Sequence, residues 1–192
     1  MKIYIAYIPD IENRPDLPDK YINLLSADET KRFKSMTDDT RRLQFLIGRS
    51  LIYDVYHQSP TILPTGKPVV ENGYISLAHS GPYVVLATSE TPVGVDIEDA
   101  SQNKDFIRLA RRLNFQLTRN ERLSFYQQFT RYESTYKISV PSQPLYHRYY
   151  SIDTFILCAT TLNKKEKIEF IKTIPLLQKA SFPLACLEPE TL

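Results

Sequence analysis

Pro92-Val93-Gly94-Val95-Asp96-Ile97-Glu98 alternates apolar and acidic side chains with the period of a β-strand. On such a strand Val93, Val95 and Ile97 share one face and anchor it. Asp96 and Glu98 share the other, their side chains starting roughly 6.5 Å apart. One hard divalent cation can draw oxygens from both carboxylates at that spacing. An edge strand with a solvated acidic face has the same pattern, so the reading turns on what surrounds the stretch.

The chain has 192 residues, enough for a sizeable core as one large domain or two small lobes. A net charge of +2 argues against a polyanion-coating protein and against an acidic tail. Arginines nevertheless cluster at Arg108, Arg111, Arg112, Arg119 and Arg122, which suits an acidic partner or a solvated helix face. The two cysteines, Cys158 and Cys186, are too far apart for a C-x-x-C motif and too few for a disulfide framework. Buried thiols of a reducing compartment are expected. The opening run Met1-Lys2-Ile3-Tyr4-Ile5 is strand-like and lacks a long apolar stretch, and no later segment could span a bilayer. A cytoplasmic protein with no membrane partner is expected.

Working outward, Ile3 to Ile8 reads as a strand ended by Pro9, with an extended loop marked by Pro15 and Pro18. Ser26-Ala27-Asp28-Glu29 is a capping box opening a helix that carries Lys31, Arg32 and Lys34. Thr37 is the N-cap candidate for a helix from about Asp38 to Tyr56, with Leu43, Leu46, Ile47, Leu51 and Val55 as its apolar stripe. Gly48 inside it implies close packing. Thr65-Gly66-Lys67-Pro68 is a turn, and strands follow at Ile75 to Ala78 and Tyr83 to Thr88 with His79-Ser80-Gly81 between them.

Beyond the acidic strand, a helix is expected from about Lys104 to Asn114, and Thr118 with Glu121 forms a second capping box. Phe125, Phe129, Tyr132 and Tyr136 then make one aromatic stripe, read as core. Glu133 and Lys137 lie at i, i+4 beside it, where an ordinary surface ion pair is the alternative to a functional one. Pro141 and Pro144 end the segment, Tyr149 to Thr161 reads as a strand, and 163–167 is a solvated turn.

In this order the pieces resemble the Sfp-type 4'-phosphopantetheinyl transferases. That family's G-K-P turn, F-N-x-S-H-S segment, G-[IV]-D-[IV]-E strand and W-x-x-K-E-[AS]-x-x-K helix correspond to four stretches here. They are Gly66-Lys67-Pro68, Ile75 to Ser80, Gly94 to Glu98, and Phe129 to Lys137. The helix from Arg41-Arg42 to Gly48-Arg49 also looks like the family's first-lobe helix. Ser76, Ala78, Phe129 and Tyr132 depart from the usual Asn, Ser, Trp and Lys, and Glu29 lies where a family lysine often faces the 3'-phosphate.

The resemblance implies an α+β fold of two similar lobes with pseudo-twofold symmetry, residues 1–90 and 91–192, with coenzyme A bound between them. It implies Mg2+-dependent transfer of phosphopantetheine from coenzyme A to a serine of an acyl or peptidyl carrier protein. Asp96, Glu98 and Glu133 would hold Mg2+ together with pyrophosphate oxygens and water. Glu133 would also act as base for the carrier serine, and Lys137 would steady the pyrophosphate or leaving group. Arg32, Arg42, Lys67, Pro68, His79 and Ser80 would contact coenzyme A, Lys67 and Pro68 at the adenine and Arg32 at the 3'-phosphate. A monomer is expected. Two other readings stay open. One is a relative that binds coenzyme A or a carrier protein without transferring anything, and the altered motif positions favour it. The other is a metal-dependent phosphodiesterase or nuclease, for which the near-neutral charge offers little nucleic-acid-binding surface.

Overall fold

The computed structural model describes residues 1–13, 16–102, 105–138, 143–175, 178–181 and 185–187, with side chains as far as residue 175. Pro15, Lys104, Pro141 and the Cys186 side chain lie outside that description. The fold is a mixture of helices and sheets of the α+β class. In chain order the first half contains β1 (Lys2–Tyr7), α1 (Ile8–Glu12), α2 (Leu17–Ile22), α3 (Ala27–Ser35), α4 (Asp39–Tyr56), β2 (Thr61–Ile62), β3 (Pro68–Val69), β4 (Tyr74–Ser80) and β5 (Tyr83–Ser89). There follow β6 (Val93–Asp99), α5 (Phe106–Leu113), α6 (Glu121–Ile138), β7 (Tyr146–Ile152), β8 (Phe155–Thr161), β9 (Glu169–Ile174), β10 (Gln178–Ser181) and β11 (Ala185–Leu187).

Strands β10, β9, β1, β5 and β4 form one sheet in that order, and β11, β7, β8 and β6 form a second. The expected boundary at 90/91 falls between β5 and β6, and β9 and β10 return across it to the first sheet, β9 lying parallel to β1. Period-two alternation sets the layers. Ile3, Ile5, Val85 and Ala87 of the first sheet face Val95, Ile97, Leu157 and Ala159 of the second across a shared core. The opposite face of the first sheet, with Tyr4, Val84 and Leu86, is covered by Leu46, Ile47 and Leu51 of α4. The opposite face of the second, with Tyr149, Ile156 and Cys158, is covered by Ala110 of α5 and by Phe125 and Tyr126 of α6. Strand β5 is buried along Tyr83 to Thr88, as an interior strand with both faces covered must be.

The edge strands β4 and β6 meet through side chains. Ser76 Oγ accepts from Val95 N at 3.0 Å and Ser80 Oγ accepts from Asp99 N at 3.3 Å. Two hydroxyls four residues apart thus serve two amides four residues apart, and the junction of the sheets becomes a row of serine bonds.

Local expectations fail where side-chain chemistry competes with pattern. Pro9 and Pro18 sit in the first turns of α1 and α2, where a missing N–H is tolerated, instead of ending a strand and marking a loop. Asp38 caps α4 by accepting from Arg41 N at 2.8 Å, in place of Thr37. Asn120 accepts from Leu123 N at 3.3 Å at the start of α6, while Thr118 N donates to Ser124 Oγ. His79 and Ser80 belong to β4. The long strand expected from Tyr149 to Thr161 is a hairpin whose turn places Asp153 at φ 51°. The aromatic stripe of α6 is core only at its start: Phe125 is buried, whereas Tyr132 and Tyr136 are 49% and 77% exposed. The capping box at Ser26 forms with both reciprocal bonds, and Cys158 is a buried free thiol. Among the described residues no helix is long and apolar enough to cross a membrane.

Two glycines mark close approaches of different hardness. A Cβ on Gly94 would lie 1.9 Å from the Ser134 carbonyl oxygen of α6, a backbone atom that cannot swing aside. A Cβ on Gly48 would meet the Leu77 Cδ2 at 2.8 Å, the movable tip of a side chain. Gly94→Ala is therefore expected to cost about 3 kcal/mol. Gly48→Ala should stay within about 1 kcal/mol of the parent, because improved helix propensity offsets the crowding. Urea unfolding of the two variants checks the contrast.

Candidate functional site

The site grows from β6. Alternation sends Val93, Val95 and Ile97 into the shared core and turns Gly94 and Asp96 toward α6. Gly94 lets the α6 backbone settle directly on the strand. Ser134 Oγ then lies 2.7 Å from Thr160 Oγ1 on β8, and His147 Nδ1 lies 3.0 Å from the same hydroxyl. Burial first, and the Arg131 charge second, push the His147 pKa down to about 4, so its imidazole is neutral in this chain of bonds.

One helical turn beyond Ser134, Lys137 Nζ donates to Asp96 Oδ1 at 2.7 Å and to the Val95 carbonyl at 3.1 Å. Asp96 is only 6% exposed, so the solvated acidic face that β6 could have presented is not what forms. Its second oxygen, Oδ2, is buried and has no hydrogen-bond partner among the described residues. Burial is the main reason the Asp96 pKa rises to about 6; Lys137 opposes the rise, and the charges of Glu98 and Glu133 add to it. Both glutamates are half-buried and near enough to act on Asp96.

This arrangement admits a hard cation without being a finished cage. Among the described residues no three His, Cys, Asp or Glu side chains are gathered tightly enough to hold a metal ion by themselves. Magnesium is commonly held by one or two carboxylates plus substrate phosphates and water. A buried, unpartnered carboxylate oxygen flanked by two further carboxylates fits that donor set.

Beside Lys137 opens a cleft of about 610 Å³ between α3, α4, β3, β4 and the end of α6. Arg32, Arg41, Arg49, Lys67, His79 and Lys137 line it, and no carboxylate is among its described lining residues. Arg49 is buried and paired with Glu29 at 2.5 Å, which also closes the capping box through Ser26 N. The guanidiniums of Arg49 and Arg32 lie 4.8 and 5.6 Å from the Phe45 ring centre. Lys67 Nζ donates to the Lys137 carbonyl at 2.6 Å, and its burial lowers its pKa. His79 opens to the cleft from β4; desolvation, then Lys137 and Arg41, lower its pKa. A concave, cationic chamber of this size is suited to a ligand with several phosphate groups.

Of the residues expected to contact ligand, Arg32, Lys67, Pro68, His79 and Lys137 share this cleft, and Asp96 adjoins it. Two do not. Arg42 stacks on Phe33 at 4.7 Å and pairs with Asp39 at 3.4 Å, and Ser80 is bound to the β6 backbone. Arg41, Phe45 and Arg49 take the place expected of Arg42, and their i, i+4, i+8 spacing is the signal that identifies one helical face. Of the expected arginine cluster, Arg108, Arg111, Arg112 and Arg119 are exposed, whereas Arg122 is bound to the carbonyls of Ala100 and Gln102.

The raised Asp96 pKa fixes a sign. The folded carboxyl binds its proton more tightly than the unfolded one, whose value is near 3.8, so stability falls as pH rises through the window from there to about 6. Asp96→Asn keeps the acceptor for Lys137 and removes the ionisation. It should be more stable than the parent by on the order of 2 kcal/mol at about pH 7.5 and equal to it near pH 4, read by urea unfolding at both values.

Searches against protein-family models and against curated proteins find no match to this chain.

Proposed function

We propose that this chain transfers the 4'-phosphopantetheine group of coenzyme A to a serine of an apo carrier protein. The observation that carries this reading is the cationic cleft that ends on the Lys137–Asp96 pair. Coenzyme A has a 3'-phosphate and a pyrophosphate, and Arg32, Arg41, Arg49, Lys67 and His79 supply donors for them in one chamber. The ordered motifs shared with the Sfp-type transferases support it, as does the helical cover on the outer face of each sheet, which suits two similar lobes with the donor between them.

Phosphoryl transfer asks a protein mainly to position groups and to offset charge. Lys137, at the inner end of the cleft, would hold the pyrophosphate or the departing 3',5'-bisphosphate. Glu133, one turn before it on α6, would take the proton of the attacking serine. Asp96, Glu98 and Glu133 would hold Mg2+, which when bound offsets charge on the pyrophosphate oxygens. The partner is an acyl or peptidyl carrier protein met by a cytoplasmic monomer, with neither nucleic acid nor membrane involved.

A second reading, coenzyme A binding without transfer, draws on the same pair: Lys137 already occupies Asp96 Oδ1, and Asp96 resists ionisation. Intact-mass spectrometry of several apo carrier proteins, incubated with this protein, coenzyme A and Mg2+, separates the two. Gain of one phosphopantetheine, lost with Glu133→Ala and without metal, is the expected result. Absence of any gain while coenzyme A binds would establish the second reading. Arg41→Ala should weaken coenzyme A binding about tenfold by calorimetry under either reading, the loss of one charge-assisted contact.

A further inference from the structure

Lys67 and Lys137 form a relay across the cleft. The turn carrying Lys67 is braced at its base, where Leu63 N donates to Lys67 O at 2.9 Å and Gly66 N donates to Leu63 O at 2.7 Å. Gly66 adopts φ 83° there, the left-handed conformation that glycine reaches without strain. From this base the Lys67 ammonium reaches the carbonyl of Lys137, which lies in the last turn of α6. Carbonyls in the last turn of a helix have no partner within it, and the helix dipole favours a cation beside them. The Lys137 side chain runs the other way, to Val95 O and Asp96 Oδ1 on β6. One residue is therefore gripped at its backbone from the α4–β4 side of the cleft and at its side chain from β6.

We propose that Lys67 is a positioning residue, which by binding the Lys137 carbonyl fixes the last turn of α6 and so sets where the Lys137 ammonium stands beside Asp96. A role confined to ligand contact would leave α6 indifferent to Lys67 in the ligand-free protein. A positioning role makes the end of α6 depend on Lys67 whether or not anything is bound.

Lys67→Met keeps the length of the side chain and removes the donor; Lys67→Arg restores one. Hydrogen exchange on the full chain without ligand reads the difference. Amides from Ser134 to Ile138 should exchange roughly tenfold faster in Lys67→Met, the size of one hydrogen bond from a charged group, and recover in Lys67→Arg, while amides of α4 are unchanged in both. Unchanged exchange at Ser134 to Ile138 in Lys67→Met would overturn the proposal, as would faster exchange spread equally over α4.

A kinetic arm rests on the transferase reading. There, Lys67→Met should lower kcat as well as raise the KM for coenzyme A, and a raised KM with intact kcat would instead make Lys67 a plain ligand contact. Failure of the parent to modify any carrier protein would count against the transferase reading alone, since the exchange measurement needs no turnover.

Discussion

The seating of the α6 backbone on Gly94 is the contact from which the rest of the site follows. With no side chain between helix and strand, the Ser134 carbonyl reaches the space where any other residue would have its Cβ. Hydroxyls then fill the interface: Ser134 meets Thr160, and Thr160 meets His147. A helix held this close brings Lys137 within reach of β6, and the same closeness takes Asp96 out of water. Burial of that carboxylate is unfavourable by itself; Lys137 offsets part of the penalty, and the raised pKa shows that the offset is incomplete. The site therefore holds a carboxyl that ionises at a higher pH than its unfolded counterpart.

The cleft shows the complementary imbalance. Among its cations Arg49 and Lys137 have buried carboxylates beside them, Glu29 and Asp96, and Glu29 is also engaged with the start of α3. Arg32 and Arg49 share the Phe45 ring, which gives two guanidiniums a common polarisable neighbour while leaving their mutual repulsion in place. His79, through burial and then the charges of Lys137 and Arg41, and Lys67, through burial, hold their protons less firmly. Anionic ligand in the chamber would relieve the repulsion of several groups together, so preorganised charge of this kind favours polyphosphates over single anions.

The alternation at 93–98 and the capping box at Ser26 were legible in the sequence because each is specified by residues a few positions apart. The close packing implied by Gly48 was legible for the same reason. Less accessible were features decided by competition between neighbours: Asp38 over Thr37, Asn120 over Thr118, and prolines that begin helices. The pairing of Lys2 with Glu169 joins residues too distant for any local pattern to connect them. Within the site, Asp96 was singled out by strand periodicity and Lys137 by the resemblance of its helix to a family motif, whereas the choice between Arg41 and Arg42 depended on which face of α4 the first sheet leaves uncovered. The aromatic stripe of α6 misled because periodicity gives the face of a helix and not how far along it the core extends: Phe125 reaches the core and Tyr136 lies beyond it.

The serine seam between β4 and β6 also bears on how the molecule avoids sticking to itself. Each of these strands ends its sheet, and an open strand edge is a template for pairing with another chain. Here the two edges shield one another, with Ser76 and Ser80 occupying amides of β6 that would otherwise invite a foreign strand. Separating the sheets would uncover both templates at once. Solubility of either sheet therefore depends on the presence of the other, which makes aggregation, more than loss of ligand contacts, the expected fate of a chain cut between β5 and β6.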